Sequence, residues 1–154
     1  MFDLSEIFTL TLIRATVRMS TPILLAALGL IVTELANITN IGIEGIMLVS
    51  AFIAVAASYW SGSWIVGIMA AVVAGVLIAA LMALIHLKFK ADVFVAGIAI
   101  NLFSLAFTRF LLTNWFGVAG SFYSPQISPI PRINLSFLEI HPVINTLFNN
   151  YNLM

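Results

Sequence analysis

The chain has 154 residues, of which 62% are apolar and only 8% charged, and its six basic and six acidic side chains cancel. Soluble domains carry about 25% charged residues, so this composition favours a chain that lies in a lipid bilayer and gives no footprint for a nucleic-acid partner. The absence of cysteine excludes disulfides and thiolate sites.

The N-terminal part of the chain contains two arginines followed by an apolar run. Residues 2–18, with Arg14 and Arg18, predict an amphipathic helix that lies along the membrane interface. The apolar run, residues 21–35, would reach about 22 Å as a helix, less than the bilayer core of about 30 Å. Thr21 followed by proline is typical of a helix start, so we expect a half-helix from there.

A second short apolar run, residues 46–60, follows a stretch of backbone breakers at residues 37–45, which include Asn40 and Glu44. It also reaches only about 22 Å. We therefore expect residues 21–60 to form one crossing that is interrupted in the middle, with Asn40 as the cap of the second half-helix.

A break at membrane depth persists only where it is buried in protein or lines a wet cavity. Asn40 and Glu44 are therefore candidates for a substrate pathway. Glu44 has an alternative role, which is to accept backbone N–H bonds and so anchor the break. Glu34, just before the break, is open between a pathway position and an interfacial one.

Two longer spans come next, at residues 65–87 and 93–113, with lengths of about 34 and 31 Å. Lys88 and Lys90 lie between them. Because basic residues in short loops favour the cytoplasm, we expect both basic pairs and the N-terminus to be cytoplasmic. An interrupted crossing at 21–60 gives the even number of crossings that this requires, and it places residues 114–142 outside.

The third apolar run has a small residue at every fourth position. Such a stripe allows another helix to approach closely. We interpret it as a helix-packing surface, and its members are Gly67, Ala71, Gly75, Ala79 and Ala83.

The fourth run carries a polar stripe in which Asn101 and Ser104 lie on one helical face with Gly97 and Thr108. A row of uncharged donors and acceptors suits a neutral polar solute. The alternative is hydrogen bonding between helices, in which Asn, Ser and Thr are common. We assign Asn101 and Ser104 to the candidate pathway with this alternative open.

The remaining polar residues have simpler interpretations. Asp92 is expected to cap the fourth run, and Arg109 is expected to snorkel toward the interface. Two isolated histidines without ligand spacing predict no metal site. No pairing of a nucleophile with a base is visible, so an enzyme and a cofactor are not expected. Residues 114–142 predict an irregular external loop, and residues 143–154 the start of a further span.

Several stretches resemble one family of membrane proteins. Asn40-Ile-Gly-Ile-Glu-Gly-Ile-Met-Leu48 is similar to the N-[IL]-G-x-E-G-x-x-L signature of ABC importer permeases of the nucleoside and simple-sugar type, within the branched-chain amino acid and ribose permease superfamily. The segments that begin at Lys90, Gly97 and Gly120 resemble later motifs of that family in the same order. Asp92 stands where the family commonly has Asn.

The resemblance implies an all-α, polytopic transmembrane bundle in the plasma membrane of a bacterium, surrounded by membrane lipid. It also implies a second permease subunit, separate cytoplasmic ATPase subunits and an external substrate-binding protein as partners. Members of the family are about twice as long and carry a cytoplasmic coupling segment that has no match here. We therefore expect an N-terminal half of a permease.

Two other functions remain open at this point. A small secondary carrier that acts as a dimer would also use a broken helix and polar groups near the midplane. A membrane assembly subunit without transport activity would need only the small-residue stripe.

Overall fold

The computed structural model describes residues 10–128 of the chain, and these residues form four helices. They are α1 (Leu10–Leu35), α2 (Ile43–Ser61), α3 (Trp64–Leu87) and α4 (Val93–Phe116). The described range contains no strand. The predicted all-α fold class is therefore confirmed, with four helices that are long and apolar enough to cross a membrane.

Helix α1 is longer than predicted because it continues through the position where a start was expected. It has 26 residues with Pro22 in its interior. The hydroxyl of Thr21 donates to the carbonyl of Val17 at 2.9 Å, one turn earlier, so Thr21 lies inside the helix and does not cap it. Proline is tolerated in the interior of apolar helices of this kind.

Helix α2 also exceeds a half-helix, because it begins inside the stretch of breakers. It has 19 residues, about 28 Å, and its first turn contains Glu44 and Gly45. Helices α1 and α2 are thus separate, with seven residues between Leu35 and Ile43. The single interrupted crossing of the membrane by residues 21–60 stays a prediction.

The chain divides into two units, and the described residues 10–27 belong to a different unit from Leu28–Ser128. In residues 10–27, large apolar side chains of α1 such as Met19, Ile23 and Leu24 are exposed. The hydroxyls of Thr16 and Thr21 donate to the carbonyls of Leu12 and Val17 in the same helix.

In the unit Leu28–Ser128, helices α2 and α3 pack as an antiparallel pair. They are joined at Gly62, whose φ of 64° is a left-handed conformation that glycine adopts without strain. The pairing runs from Gly67, which lies beside Ser58, to Met82, which lies beside Gly42. Helix α4 then runs parallel to α2, because Asn101 contacts Gly45 and Trp115 contacts Trp60.

The core of this unit is narrow. Each helix contributes only a few buried apolar residues to it: Val49, Ala56, Ala74, Met82, Ala96, Ile100 and Leu111. Large apolar side chains such as Val76, Leu77 and Leu102 are exposed instead. That distribution is typical of helices whose outer faces contact lipid.

Aromatic rings gather where α2 and α4 end. Trp60 and Trp115 have ring centroids 4.9 Å apart, and Phe116 packs at 4.1 Å on Phe122 of the following segment. We call this the aromatic end of the bundle. Residues 117–128 are irregular, as expected for the first part of the predicted loop. The predictions for residues 2–9, for the rest of the 114–142 loop and for 143–154 lie outside the described residues.

Candidate functional site

The break between α1 and α2 begins with a helix end that the backbone satisfies by itself. Asn37 adopts φ = 61°, and its N–H donates to the carbonyl of Glu34 at 2.8 Å. The N–H of Ile38 donates to the carbonyl of Thr33 at 3.1 Å. This pair of bonds is a Schellman motif with asparagine at the left-handed position, and it explains why α1 ends at Leu35.

The start of α2 lacks a cap from its own segment. Gly42 is the N-cap residue and makes no side-chain capping bond. The predicted cap, Asn40, leaves its Oδ1 atom buried without a partner among the described residues. The helix therefore depends on another element to satisfy its first N–H groups.

That element is α4, through Asn101. The Oδ1 atom of Asn101 accepts from the N–H of Gly45 at 2.7 Å, and its Nδ2 group donates to the carbonyl of Ile41 at 3.0 Å. One amide side chain thus caps α2 and fixes the last residues of the break. We call this pair of bonds the Asn101 clasp.

The clasp requires a close approach of the two backbones. A Cβ atom on Gly97 would lie 2.9 Å from the backbone nitrogen of Gly42, and one on Gly45 would lie 2.9 Å from Oδ1 of Asn101. Real Cβ atoms are not found at such distances. Glycine at these positions therefore sets the spacing at which the amide of Asn101 can reach both partners.

Ser104 lies one turn further along α4 and is fully buried. Its hydroxyl has no hydrogen-bond partner in the described structure, and it packs against Gly45. Thr108, the next member of the stripe, donates to the carbonyl of Ser104 at 2.7 Å. In this conformation, Asn101 and Ser104 thus face the interior of the helix packing and not an open cavity.

Glu44 is placed differently from Asn101 and Ser104. It lies in the first turn of α2, next to the clasp, and its side chain is exposed. Glu34, at the end of α1, is also exposed. The clasp lies about 12 Å along α4 from Val93, which is deep within a helix of membrane-spanning length. A carboxylate at that depth faces protein or water and not hydrocarbon.

Below the clasp, a cavity of about 180 Å³ opens between the break and the connection from α3 to α4. Its walls include Asn40, Met82 and His86. The Nδ1 atom of His86 lies 2.9 Å from the carbonyl oxygen of Ala91. Because a carbonyl can only accept, Nδ1 carries the hydrogen in this contact.

The small-residue stripe of α3 is divided between two environments. Its first members face α2, since a Cβ on Gly67 would lie 2.8 Å from the carbonyl oxygen of Ala54 and one on Gly75 would lie 2.8 Å from Oγ of Ser50. Ala71 is half-buried. Ala79 and Ala83 are exposed and line the 180 Å³ cavity.

The described residues give two further results for the polar positions. Asp92 caps α4 as predicted, because its carboxylate accepts from the N–H groups of Phe94 and Val95. Within residues 10–128, no cluster of His, Asp or Glu could hold a metal ion.

Sequence reasoning missed the partners of Asn101. The polar stripe identified the residue, but the carbonyl of Ile41 and the N–H of Gly45 are backbone groups that no side-chain pattern reveals. The glycines could have indicated them: Gly42 and Gly45 at the start of α2 and Gly97 on α4 allow the two backbones to approach closely.

The family and the relatives that this chain matches are all described as permease components of transport systems. Residues 12–147 match the family described as "Branched-chain amino acid transport system / permease component". The chain is 30% identical over 153 residues to the guanosine ABC transporter permease protein NupQ of Bacillus subtilis, which covers 95% of this chain and 47% of that protein.

Two further relatives have similar identities. One is the putative glucose ABC transporter permease protein TsgC13 of Haloferax volcanii, 31% identical over 70% of this chain and 33% of the relative. The other is the nucleoside ABC transporter permease protein NupC of Lactococcus lactis, 30% identical over 84% of this chain and 42% of the relative. The chain thus spans a third to a half of the length of these relatives, and no solved structure matches it.

Proposed function

Because the chain belongs to the branched-chain amino acid transport system / permease component family, we propose that it is a transmembrane permease subunit of an ABC importer for nucleosides or a related neutral polar solute. It lies in the plasma membrane of a bacterium as a multi-pass protein with a cytoplasmic N-terminus. ATP hydrolysis belongs to separate ATPase subunits, and a second permease subunit and an external substrate-binding protein complete the importer.

The observation that carries the proposal is the exposed carboxylate of Glu44 beside a break that α4 holds in place. An exposed acid at membrane depth needs water, a solute or another protein segment next to it. The Asn101 clasp keeps the first turn of α2 rigid, so Glu44 is presented from a fixed backbone. A carboxylate there accepts hydrogen bonds from the hydroxyl groups of a sugar or nucleoside.

The four predicted pathway residues therefore divide into two roles. Glu44 and Asn40 face the pathway, since Glu44 is exposed and Asn40 lines a cavity. Asn101 and Ser104 lie in the contact between α4 and the start of α2, where Asn101 positions the break. Two of the three relatives described above are named for nucleosides or guanosine and one for glucose, which supports hydroxyl-rich neutral solutes as the substrate class.

The test is uptake of labelled guanosine, uridine and glucose by a transport-deficient bacterium. The strain expresses the chain together with the second permease subunit, the ATPase and the binding protein. We expect Glu44→Gln to reduce uptake about tenfold or more, because a site that bonds substrate hydroxyl groups loses an acceptor. Glu34→Gln is the matched control, with the same change at the other side of the break and little expected effect.

The energy source on which uptake depends distinguishes an ABC importer from a secondary carrier. An ABC importer loses uptake when the ATPase carries an inactivating substitution. Uptake that persists without the ATPase and collapses with the ion gradient would indicate a secondary carrier. Unchanged uptake in Glu44→Gln would remove Glu44 from the pathway.

A further inference from the structure

A groove of about 370 Å³ lies between α2 and α4 near their aromatic end. Its walls are apolar, with Leu48 and Phe52 from α2, Leu105 and Phe116 from α4, and Phe122 from the segment that follows. Among the described residues that line it, Arg109 of α4 is the only charged one, and its side chain is exposed. The groove is separate from the break and from the proposed pathway residues.

No acidic side chain of the described residues can compensate Arg109. Asp92 lies 17 positions earlier on the same helix, about 25 Å away along its axis. Glu44 is level with the Asn101 clasp, eight positions and about 12 Å from Arg109 along α4. Glu34 lies on the far side of the break. Within residues 10–128, the guanidinium of Arg109 is therefore an uncompensated cation beside an apolar groove.

The depth of Arg109 in the bundle indicates what supplies the anion. Arg109 precedes Phe116 by seven positions, about 10 Å. The indole rings of Trp60 and Trp115 lie at the end of the same two helices, and tryptophan favours the level of the lipid headgroups. An arginine slightly below that level reaches the phosphate layer with its guanidinium, while its methylene groups remain among hydrocarbon.

From this arrangement we propose that the groove binds one anionic glycerophospholipid. The guanidinium of Arg109 holds the phosphate through a two-pronged contact, which a planar fork of donors favours. An acyl chain runs from there toward the bilayer middle along Leu105 and Leu48, and the ring of Phe122 covers the outer part of the groove. This proposal does not depend on the transported solute.

The test measures lipid selectivity of the purified chain. The chain is reconstituted in phosphatidylcholine vesicles that contain a small fraction of spin-labelled phosphatidylglycerol or spin-labelled phosphatidylcholine, and the immobilised fraction of each probe is compared. We expect the wild-type chain to prefer phosphatidylglycerol roughly fivefold, the scale of one basic side chain near an anionic headgroup.

Three substitutions and a charge control separate the groove from general charge attraction. Arg109→Gln should abolish the preference, and Arg109→Lys should keep part of it because the charge remains without the fork. Ala51→Phe fills the groove, of which Ala51 is a wall, and should reduce the immobilised fraction of phosphatidylglycerol with Arg109 intact. Lys88→Gln, the control with the same charge change at the other end of the bundle, should leave the preference unchanged.

Circular dichroism and size-exclusion chromatography test whether each variant is folded. A preference that survives in Arg109→Gln would overturn the proposal. An equal loss in Lys88→Gln would also overturn it, because the preference would then reflect net charge. The proposal fails as well if Arg109→Gln changes only the self-association of the chain, since the groove would then be a contact for protein.

Discussion

Asn101 is the residue whose role the structure changes most. The sequence left two roles open for Asn101: contact with a polar solute, or hydrogen bonding between helices. In the structure both of its amide groups bond to the backbone of the break, at 2.7 and 3.0 Å. We therefore propose that Asn101 acts on transport indirectly, through the position of the first turn of α2.

We expect Asn101→Leu to destabilise the folded chain. The change leaves the N–H of Gly45 and the carbonyl of Ile41 without partners, and each orphaned group costs about 1–3 kcal/mol. Thermal unfolding in detergent, followed by circular dichroism, measures this loss. Asn114→Leu is the matched control on the exposed end of the same helix and should change the melting temperature little. Equal melting temperatures for Asn101→Leu and wild type would contradict the clasp.

Ser104→Ala should behave in the opposite way, although Ser104 belongs to the same stripe. Its hydroxyl is buried without a partner among the described residues, so its removal should leave stability unchanged or slightly raised. Uptake in the reconstructed importer is the second measurement. A fall in uptake with full stability would show that the hydroxyl finds a partner in another state of the transport cycle, as a pathway role requires.

At the scale of the helices, the contacts of individual glycines predict two different sensitivities. We expect Gly97→Ala to destabilise the chain by about 1–3 kcal/mol, because the new Cβ meets the backbone nitrogen of Gly42 at 2.9 Å. The new Cβ of Gly75→Ala meets the hydroxyl oxygen of Ser50 at 2.8 Å, which can rotate away, and Cγ2 of Ile46 at 3.8 Å, which is an ordinary contact. Gly75→Ala should therefore be milder, and addition of Ser50→Ala should restore stability in it.

Denaturation of the two variants under the same conditions compares them directly. Equal losses in Gly97→Ala and Gly75→Ala would mean that the spacing of α2 and α4 is not set by backbone contact at Gly97.

The sequence predicted the bounds of some helices better than others, for physical reasons. Helices α3 and α4 are long, uninterrupted apolar runs, and α4 follows a capping residue, Asp92, so their predicted ends lie within three residues of the observed ones. The predicted start of α1 was wrong, because the Thr21–Pro22 pair has the residue types of a helix start but lies inside a helix that begins at Leu10. A capping preference is local and weak, whereas continuation of an apolar helix is cooperative.

The candidate site could be located from the sequence but not assembled. Breakers and polar residues indicated the segment from Asn40 to Glu44 and the face of α4 that carries Asn101. Their meeting depends on which helices are neighbours and on the direction of each. The bonds to Gly45 and Ile41 bridge 56 and 60 positions of the chain, and no periodicity within one helix encodes such a pairing.

At the scale of the whole molecule, the orientation in the membrane is the main testable prediction. The described helices include four that could cross by length and composition, while the two basic pairs favour one interrupted crossing at residues 21–60. Single cysteines can decide, because the natural chain has none. In intact cells we expect Met19→Cys and Phe89→Cys to be protected from an impermeant thiol reagent and Tyr123→Cys to react.

All three positions are exposed on the described chain, so accessibility reports the side of the membrane. Labelling of Phe89→Cys from outside, with protection of Tyr123→Cys, would show that α1 and α2 each cross.

The clasp also has a consequence for how the protein is made. Residues 41–45 emerge from the ribosome well before Asn101. The start of α2 therefore enters the membrane before the side chain that bonds to Gly45 and Ile41 is available. Until α4 arrives, the N–H of Gly45 and the carbonyl of Ile41 need temporary partners, such as water or the wall of the insertion machinery. Nascent chains that stop short of Asn101 should therefore remain bound to that machinery, and chains that include α4 should leave it.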